Sequence, residues 1–314
     1  MKRALHLLQT KNMKEQTQFD VIIIGGSYSG LSAAMSLGRA LRKVLIIDNG
    51  KPCNRTAPHS HNFITQDGKP PRQIADDARA QVEKYNSIQF YKGLATKAEK
   101  TTNGFTVETE SGKSFHTKKL LFATGLKDIM PNIKGFAECW GISIIHCPYC
   151  HGYEVRNEPT GIIGNGEAAF HYAWLISNWT KDLTIFTNGK YSFTEEQNQK
   201  LKANNLKVIE TEIGEIIHSK GQLKHVELKD GKSVKLNAIY HGPSFEQHCK
   251  LPQEMGCEIT ESGHIQVTLF QQTSVEGIFA AGDNSTMMRS LASAVAAGTT
   301  AGAFINNELT QAEF

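Results

Sequence analysis

The chain has 314 residues, a length at which two domains are the usual arrangement. Its 34 basic and 31 acidic residues are scattered rather than clustered, which gives no support for nucleic-acid binding. No apolar run approaches the roughly 18 residues of a membrane span, so we expect a soluble protein.

We expect no secretory signal in the first residues of the sequence. Residues 1–18 mix charged side chains with a short apolar patch, and we interpret them as a loosely ordered extension with Met13 as an alternative start. Six cysteines in a large chain without a signal peptide indicate a reducing, cytoplasmic setting. Closely spaced cysteines in that setting are more often catalytic than structural.

The first periodic segments predict a dinucleotide-binding unit. A strand is predicted over 19–25, a glycine turn over 25–30, a helix over 31–40 and a second strand over 43–48. Gly25 and Gly30 permit a tight turn that sets a pyrophosphate on backbone N–H groups, and Asp48 lies at the distance of about 20 residues expected for the ribose-binding acid. Ser27 stands where the usual fingerprint has its middle glycine.

The remainder of this unit is less distinctive. His59 and His61 lie in a loop and are interpreted as solvated histidines, with contact to a cofactor ring as the alternative. An amphipathic helix is predicted over 71–85 and short strands over 105–109 and 114–116. A strand over 119–125 then ends in Ala-Thr-Gly.

Two cysteines separated by two residues, Cys147 and Cys150, carry the clearest chemistry. Such a pair closes a small disulfide ring, and flanking groups such as His151 can bring one thiol into the reactive range. Covalent haem attachment requires export, and a zinc site requires a second close ligand pair that Cys249 and Cys257 are too widely spaced to supply, so we expect no metal. Two packing thiols are the remaining alternative.

A second glycine turn follows the cysteine pair. Gly164, Gly166 and Ala169 have the GxGxxA spacing and open a predicted helix that runs to Trp179, followed by a strand over 182–187. Residues 188–190 supply neither an acid for a 2′-hydroxyl nor an arginine for a 2′-phosphate. The chain therefore contains an inserted second Rossmann-like unit whose pyridine-nucleotide site is poorly specified.

The last segments return to the first unit. A strand over 277–283 ends at Asp283, and a helix rich in small residues is predicted over 289–305. Asp283 is interpreted as a contact for ribityl or ribose hydroxyls, with a helix-capping role as the alternative. The whole pattern predicts an α/β fold with two Rossmann-like dinucleotide-binding domains, the second inserted into the first.

These motifs, in this order, resemble those of low-molecular-weight thioredoxin reductases over residues 19–306. The resemblance implies a homodimeric flavoprotein that binds FAD and NAD(P)H and carries a redox-active disulfide on the inserted domain. It implies an FAD domain in two parts, 19–126 and 241–314. Between them lies an inserted domain with the cysteine pair, 127–240, and the N-terminal extension is 1–18.

The resemblance also implies roles for individual residues. Cys150 would face the flavin, Cys147 would face the substrate, and His151 would serve as their acid and base. His146 and Tyr149 are interpreted as shaping access or packing. It assigns to FAD the residues Gly25, Ser27, Gly30, Asp48, Thr124, Gly125, Gly282, Asp283 and Arg289. It assigns to the pyridine nucleotide the residues Gly164, Gly166 and Ala169.

Three departures from the family's pattern keep the function open. His151 replaces the acid that usually follows the second cysteine, Ser27 replaces a glycine, and an arginine-bearing segment is absent after the second Rossmann strand. The cysteine segment looks closer to a branch that includes dithiol oxidases, which use oxygen rather than NADPH. We therefore expect a disulfide reductase, with a dithiol oxidase or a flavin-bearing redox sensor as alternatives.

The remaining cysteines carry no spacing that indicates chemistry. Cys53, Cys139, Cys249 and Cys257 are interpreted as core or surface thiols. The physiological partner is expected to be a small-molecule or protein disulfide or dithiol, and its identity is not encoded in any motif. NADPH, NADH, ferredoxin and oxygen all remain open as electron donor or acceptor.

Overall fold

The computed structural model of the protein describes residues 17–314. Most of the predicted extension, including Met13, lies outside the described residues, and Gln18 already belongs to the first strand. The elements up to the cysteine pair are, in chain order, β1 (Gln18–Ile24), α1 (Tyr28–Arg39), β2 (Val44–Asp48), α2 (Pro71–Val82), β3 (Ile88–Lys92), β4 (Ala95–Thr101), β5 (Gly104–Thr109), β6 (Ser114–Phe122), β7 (Leu126–Ile129), α3 (Phe136–Cys139), β8 (Ile144–Ile145) and α4 (Pro148–His151).

The elements of the second half complete three sheets begun in the first half, one of them the two-stranded pair of β7 and β16, and add a three-stranded sheet. They are β9 (Thr160–Ile163), α5 (Gly166–Ile176), β10 (Leu183–Phe186), α6 (Glu195–Ala203), β11 (Lys207–Ile209), β12 (Ile213–Ser219), β13 (Gln222–Leu228), β14 (Ser233–Lys235), β15 (Ala238–His241), β16 (Ser244–Gln247), α7 (Leu251–Glu254), β17 (Ile278–Ala280) and α8 (Leu291–Glu313). Within the described residues, no helix is both long enough and apolar enough to cross a membrane.

The chain divides into two compact units. The first comprises residues 17–52, Ala75–Leu126 and Gln247–Phe314, and the second comprises Cys53–Ile74 and Lys127–Glu246. The grouping of Cys53–Ile74 with the second unit differs from the uninterrupted segment 19–126 expected from the sequence. Contacts such as that between His61 and Glu154 join this segment to the second unit.

The sheet of the first unit has the strand order β3-β2-β1-β6-β5-β4, and β17 also pairs with β6. Its central strands are parallel, and the apolar runs of β1 and β2 are buried on both faces, as a parallel sheet requires. Parallel pairing places the carboxyl ends of β1, β2, β6 and β17 at one edge. The glycine turn after β1, Asp48 and the segments after β6 and β17 therefore lie at that edge.

Strand β6 differs from the two separate strands expected over 114–116 and 119–125. Its first half pairs in antiparallel fashion with β5, while its second half pairs in parallel with β17. One strand of nine residues thus joins an antiparallel hairpin to the parallel sheet. This shared pairing explains why the interruption predicted between the two segments does not occur.

Helices α1 and α8 cross at very short distance in the first unit. A Cβ atom on Gly298 would lie 2.1 Å from the carbonyl oxygen of Ser29, and one on Gly302 would lie 2.7 Å from that of Ala33. Ser32 Oγ donates to the carbonyl oxygen of Val295 over 2.8 Å. The small residues of α8 therefore permit this approach, as its composition predicted, although α8 begins at Leu291 and extends to Glu313 rather than spanning 289–305.

The second unit contains a parallel sheet in the order β11-β10-β9-β15-β8 and an antiparallel sheet in the order β12-β13-β14. Apolar clusters cover both faces of the parallel sheet, one around Phe136 and Phe186 and the other around Ile176 and Tyr240. The α/β class with parallel sheets in two units confirms the predicted fold class.

Candidate active site and cofactor edges

The glycine turn between β1 and α1 requires its two outer glycines. Gly25 has a φ of +109°, and a Cβ atom there would lie 2.2 Å from the carbonyl oxygen of Ala123. A Cβ atom on Gly30 would lie 1.9 Å from the carbonyl oxygen of Gly25. Ser27, which replaces the middle glycine of the fingerprint, has a φ of −92° that any residue adopts, so the serine fits the turn.

Asp48 accepts backbone hydrogen bonds at both carboxylate oxygens, one of them from this turn. Its Oδ1 accepts from the N–H of Gly26 and its Oδ2 from the N–H of Gly50, each over 3.0 Å. The half-buried carboxylate therefore stands beside the glycine turn at the end of β2. This is the place at which a dinucleotide ribose meets an acid in Rossmann units.

Polar side chains converge on the same edge from the end of the chain. Asn284 is fully buried, and its Nδ2 donates to the carbonyl oxygen of Phe122 over 2.9 Å and to Thr124 Oγ1 over 3.3 Å. Asn284 Oδ1 and the buried Ser29 Oγ have no hydrogen-bond partner among the described residues. Such buried polar atoms call for a ligand, and the open first turn of α1, which carries no acidic residue, suits a phosphate.

Asp283, the residue before Asn284, forms an ion pair with Arg289. Arg289 Nε is 3.6 Å from Asp283 Oδ2, and both side chains are largely buried. Asp283 begins a short 3-10 turn, while Ser290 caps α8, so Asp283 does not cap that helix. Gly125 has a φ of +64°, and a Cβ atom on Gly282 would lie 3.0 Å from Ser29 Cβ. These residues fit a bound FAD.

The glycine turn of the second unit has a different environment. Gly166 has a φ of +57°, and a Cβ atom on Gly164 would lie 3.4 Å from Ala169 Cβ. Asn165 caps α5, and its Oδ1 accepts from the N–H of Gly166 and from the N–H of Ser192, each over 2.8 Å.

Two further contacts close this turn. Asn165 Nδ2 donates to the carbonyl oxygen of Lys190 over 2.9 Å. Glu167 adds a negative charge to the first turn of α5 and accepts a hydrogen bond from Gln197. The turn therefore has the backbone geometry of a dinucleotide site. A helix N-terminus binds an anion best when its N–H groups are free and no acidic side chain lies nearby. Because Asn165 and Glu167 violate both conditions, this turn is less suited to a pyrophosphate than the turn after β1.

Cys147 and Cys150 form a disulfide within the second unit. Cys147 caps the short helix α4, and its Sγ accepts from the N–H of Cys150 over 3.2 Å. A Cβ atom on Gly152 would lie 2.4 Å from the carbonyl oxygen of Pro148, so glycine is required directly after the turn that holds the pair. Both cysteines are partly exposed, which a thiol-disulfide exchange site needs.

Two ionisable side chains of the second unit, His61 and Glu154, act on His151. Burial lowers the pKa of His151, nearby His61 lowers it further, and Glu154 raises it. His61 Nε2 lies 3.6 Å from Glu154 Oε1, and His61 Nδ1 lies 3.6 Å from Asp67 Oδ1. Sequence reasoning did not single out Glu154 or Asp67, and it interpreted His61 as a loop histidine.

Aromatic side chains border the cysteine pair. Tyr149 is 63% exposed, and its ring meets the ring of Trp179 edge-on at 5.7 Å between centroids. Tyr153 is also exposed and lies under the guanidinium group of Arg156. The carbonyl oxygen of His146 accepts from Tyr172 over 3.0 Å, which connects the segment before the pair to α5.

The other cysteines lie away from any cluster of ligands. Cys139 and Cys257 are buried, Cys249 is half-buried, and burial raises the pKa of each of the three thiols. Cys53 is exposed. No group of three or more histidine, cysteine or acidic side chains in residues 17–314 is arranged to hold a metal ion.

Comparison with known proteins places the chain in a family. Residues 19–301 match the profile of the pyridine nucleotide-disulphide oxidoreductases. Thioredoxin reductase sirT from Leptosphaeria maculans is 32% identical over 305 residues, covering 92% of this chain and 93% of that protein. Thioredoxin reductase tcpT from Claviceps purpurea (strain 20.1) is 32% identical over 301 residues, covering 92% and 94%.

A solved structure gives the same result. The oxidoreductase from Agrobacterium tumefaciens superposes with a TM-score of 0.87 and 38% identity, covering 93% of this chain and 99% of that chain. The resemblance drawn from the motifs is thereby confirmed. The chain belongs to the pyridine nucleotide-disulphide oxidoreductase family and is a flavin-dependent disulfide oxidoreductase similar to thioredoxin reductases.

Proposed function

We propose that the Cys147–Cys150 pair is the redox centre of the enzyme and that it exchanges two electrons with an external disulfide. The observation that carries the proposal is the partly exposed disulfide at the start of α4, with His151 in the next position after Cys150. NADPH or NADH is the proposed electron donor. The proposed partner is a small-molecule or protein disulfide, as the names of the similar reductases suggest.

The exchange proceeds in two balanced steps. The thiolate of Cys147 attacks one sulfur of the external disulfide, the external S–S bond breaks, and a mixed disulfide and a leaving thiolate form. The thiolate of Cys150 then attacks Cys147 Sγ, which forms the Cys147–Cys150 bond and releases the second thiolate. The external disulfide gains two electrons, the cysteine pair loses two, and His151 delivers a proton to a leaving thiolate.

The first unit supplies the cofactor site in this proposal. Gly25, Gly30 and Asp48 would hold the pyrophosphate and ribose of FAD, and Thr124 and Asp283 would also contact the cofactor. FAD, when bound, supplies the two-electron redox chemistry that connects the nicotinamide to the cysteine pair. Gly164, Gly166 and Ala169 are the proposed contacts for the pyridine nucleotide.

Two further parts of the proposal concern the state of the protein in the cell. We expect a homodimer, as the resemblance to thioredoxin reductases implies, and a cytoplasmic location. Sedimentation of the flavin-loaded protein measures the first expectation directly.

Stopped-flow absorbance under anaerobic conditions tests the redox assignment. The flavin-loaded protein is mixed separately with NADPH, NADH and dithiothreitol. Rapid flavin bleaching by one pyridine nucleotide is the expected result and identifies the donor. A flavin that no pyridine nucleotide bleaches contradicts the proposed donor.

The variant Cys150→Ser separates a redox role of Cys150 from a structural role of the same residue. We expect Cys150→Ser to abolish disulfide turnover because the mixed disulfide can no longer be resolved, while the bound flavin content stays unchanged. Cys53→Ser, an exposed thiol of the same unit, is the matched control and should leave turnover intact. Turnover retained in Cys150→Ser would show that another group accepts the electrons.

A second candidate, an oxygen-using dithiol oxidase, is favoured by one observation. The pyrophosphate of a pyridine nucleotide would lie at the turn before α5. There Asn165 already accepts the N–H of Gly166, and Glu167 adds a negative charge. In this direction a substrate dithiol gives two electrons and two protons and becomes a disulfide, and oxygen accepts them as hydrogen peroxide. Bleaching by dithiothreitol alone, with colour returning when oxygen is admitted, would support this candidate.

A further inference from the structure

His61 occupies an unusual position for a loop histidine. Both of its ring nitrogens face carboxylates, Nε2 toward Glu154 and Nδ1 toward Asp67, each at 3.6 Å. Its side chain is 22% exposed, whereas that of Asp67 is 67% exposed. His61 therefore lies between two exposed carboxylates, those of Glu154 (41% exposed) and Asp67, and we name these three side chains the His61 line.

The position of the loop is fixed by local bonds. Asp67 also accepts from the N–H of Asn62 over 2.8 Å, and Ser60 and Lys69 pair across the base of the loop. The N–H of Ser60 donates to the carbonyl oxygen of Lys69 over 2.8 Å. His61 is thus held between its carboxylates by a closed loop, and its placement does not depend on a long flexible segment.

The charges that face His151 act in opposite directions. His61 lowers the pKa of His151 and Glu154 raises it. Glu154 also faces Tyr240 of β15, since burial and then Glu154 raise the pKa of that tyrosine. Asp67 faces His61 from the outer side. His61 and Glu154 thus act on His151 directly, whereas Asp67 acts on His61 and Tyr240 lies near Glu154.

We propose that His61 is a positioning residue for thiol-disulfide exchange: it engages the Glu154 carboxylate and thereby keeps the imidazole of His151 available to take a thiol proton. The proposal rests on the proposed function, in which His151 is the acid and base of the cysteine pair. Without His61, the carboxylate of Glu154 would act on His151 alone and hold a proton on it.

The proton movement accompanies a balanced exchange with a dithiol. A ring nitrogen of His151 takes the proton of an attacking thiol, and the resulting thiolate forms a bond to Cys147 Sγ while the Cys147–Cys150 bond breaks. The second thiol of the dithiol then displaces Cys147 as a thiolate. The dithiol is oxidised by two electrons, and the cysteine pair is reduced by two.

The experiment measures the pH dependence of disulfide reduction without relying on flavin turnover. The flavin-loaded, oxidised protein is mixed with dithiothreitol between about pH 5 and about pH 9, the range in which a histidine titrates. The reaction is quenched with acid, and the free thiols of Cys147 and Cys150 are counted by alkylation and mass spectrometry. The inflection on the acid side of the rate profile reports the protonation of His151.

The expected shifts have opposite signs. His61→Asn removes the imidazole that engages Glu154 and lowers the pKa of His151, so the inflection moves to higher pH and the rate falls most at low pH. Glu154→Gln removes a charge that raises this pKa, so the inflection moves to lower pH. His61→Arg places a cation between the two carboxylates and should leave the inflection at or below its position in the unaltered protein.

His225→Asn is the matched control, because His225 Nε2 lies 3.3 Å from Glu227 in the same unit but on the antiparallel sheet. It should leave the inflection unchanged. An inflection that ignores both His61→Asn and Glu154→Gln, or moves in the same direction in both, overturns the role of His61 alone. A disulfide that dithiothreitol does not reduce in the unaltered protein overturns the proposed function as well.

Discussion

The two glycine turns of the protein, at 25–30 and 164–169, follow the same plan of strand, turn and helix and differ in their electrostatics. The N-cap residue of helix α1 is Ser27, whose side chain makes no capping hydrogen bond within the described residues, and the first turn of α1 carries no acid. The N-cap residue of helix α5 is Asn165, whose side chain does make a capping hydrogen bond, and the first turn of α5 carries Glu167. The comparison shows that a fingerprint fixes the backbone path, whereas the capping residue and the first turn decide how well an anion is received.

The largest expected effect comes from adding one methyl group to each turn. Gly30→Ala places a Cβ atom against the carbonyl oxygen of Gly25, and we expect a loss of about 3 kcal/mol in the free energy of unfolding together with loss of bound flavin. Gly164→Ala meets Ala169 at ordinary contact distance and should cost about 1 kcal/mol or less. Urea unfolding monitored by circular dichroism measures both, and equal losses would contradict the comparison.

An intermediate effect is expected at the acid after β2. Asp48→Asn keeps one carbonyl acceptor but loses the other, so either the N–H of Gly26 or that of Gly50 loses its partner. We expect a cost of about 1–3 kcal/mol, seen as weaker retention of FAD during dialysis. Asp182→Asn, an exposed acid of the second unit, is the control. Unchanged flavin retention in Asp48→Asn would show that the carboxylate neither orders the turn nor contacts the cofactor.

The smallest effect concerns the charge at the second turn. Glu167→Gln removes a negative charge from the N-terminus of α5, and we expect it to strengthen binding of NADPH or NADH by about 0.3–1 kcal/mol, or about two- to fivefold. Glu196→Gln makes the same change in the first turn of α6 and should leave this affinity unaltered. Affinity measured by calorimetry that is equal in all three proteins would show that no nucleotide reaches this turn.

The sequence predicts those parts of the fold that depend on local patterns. Buried β-branched runs predict β1 and β2, and the GxGxxA spacing predicts the turn before α5. The two-residue strand β8 carries no periodicity, and its pairing with β15 joins residues about a hundred positions apart. Pairing over such distances is a property of the folded chain, so no window of sequence predicts it.

The candidate site divides in the same way. The cysteine spacing and the acid after β2 are visible as motifs, but His61 and Glu154 are brought together across more than ninety positions. Neither residue belongs to a recognisable spacing. Asn284 follows the Ala-Ala-Gly-Asp segment directly, so its position offered a signal, although its burial and its bond to Phe122 depend on the sheet.

The position of β17 in the chain determines the order in which the protein is completed during synthesis. The sheet of the first unit gains this strand only when Ile278–Ala280 has been made, and α8 ends at Glu313. All residues of the second unit, Cys53–Ile74 and Lys127–Glu246, have been synthesised by then. Because domains generally fold as units while the chain grows, the unit that carries the disulfide is finished before the one that surrounds it in sequence.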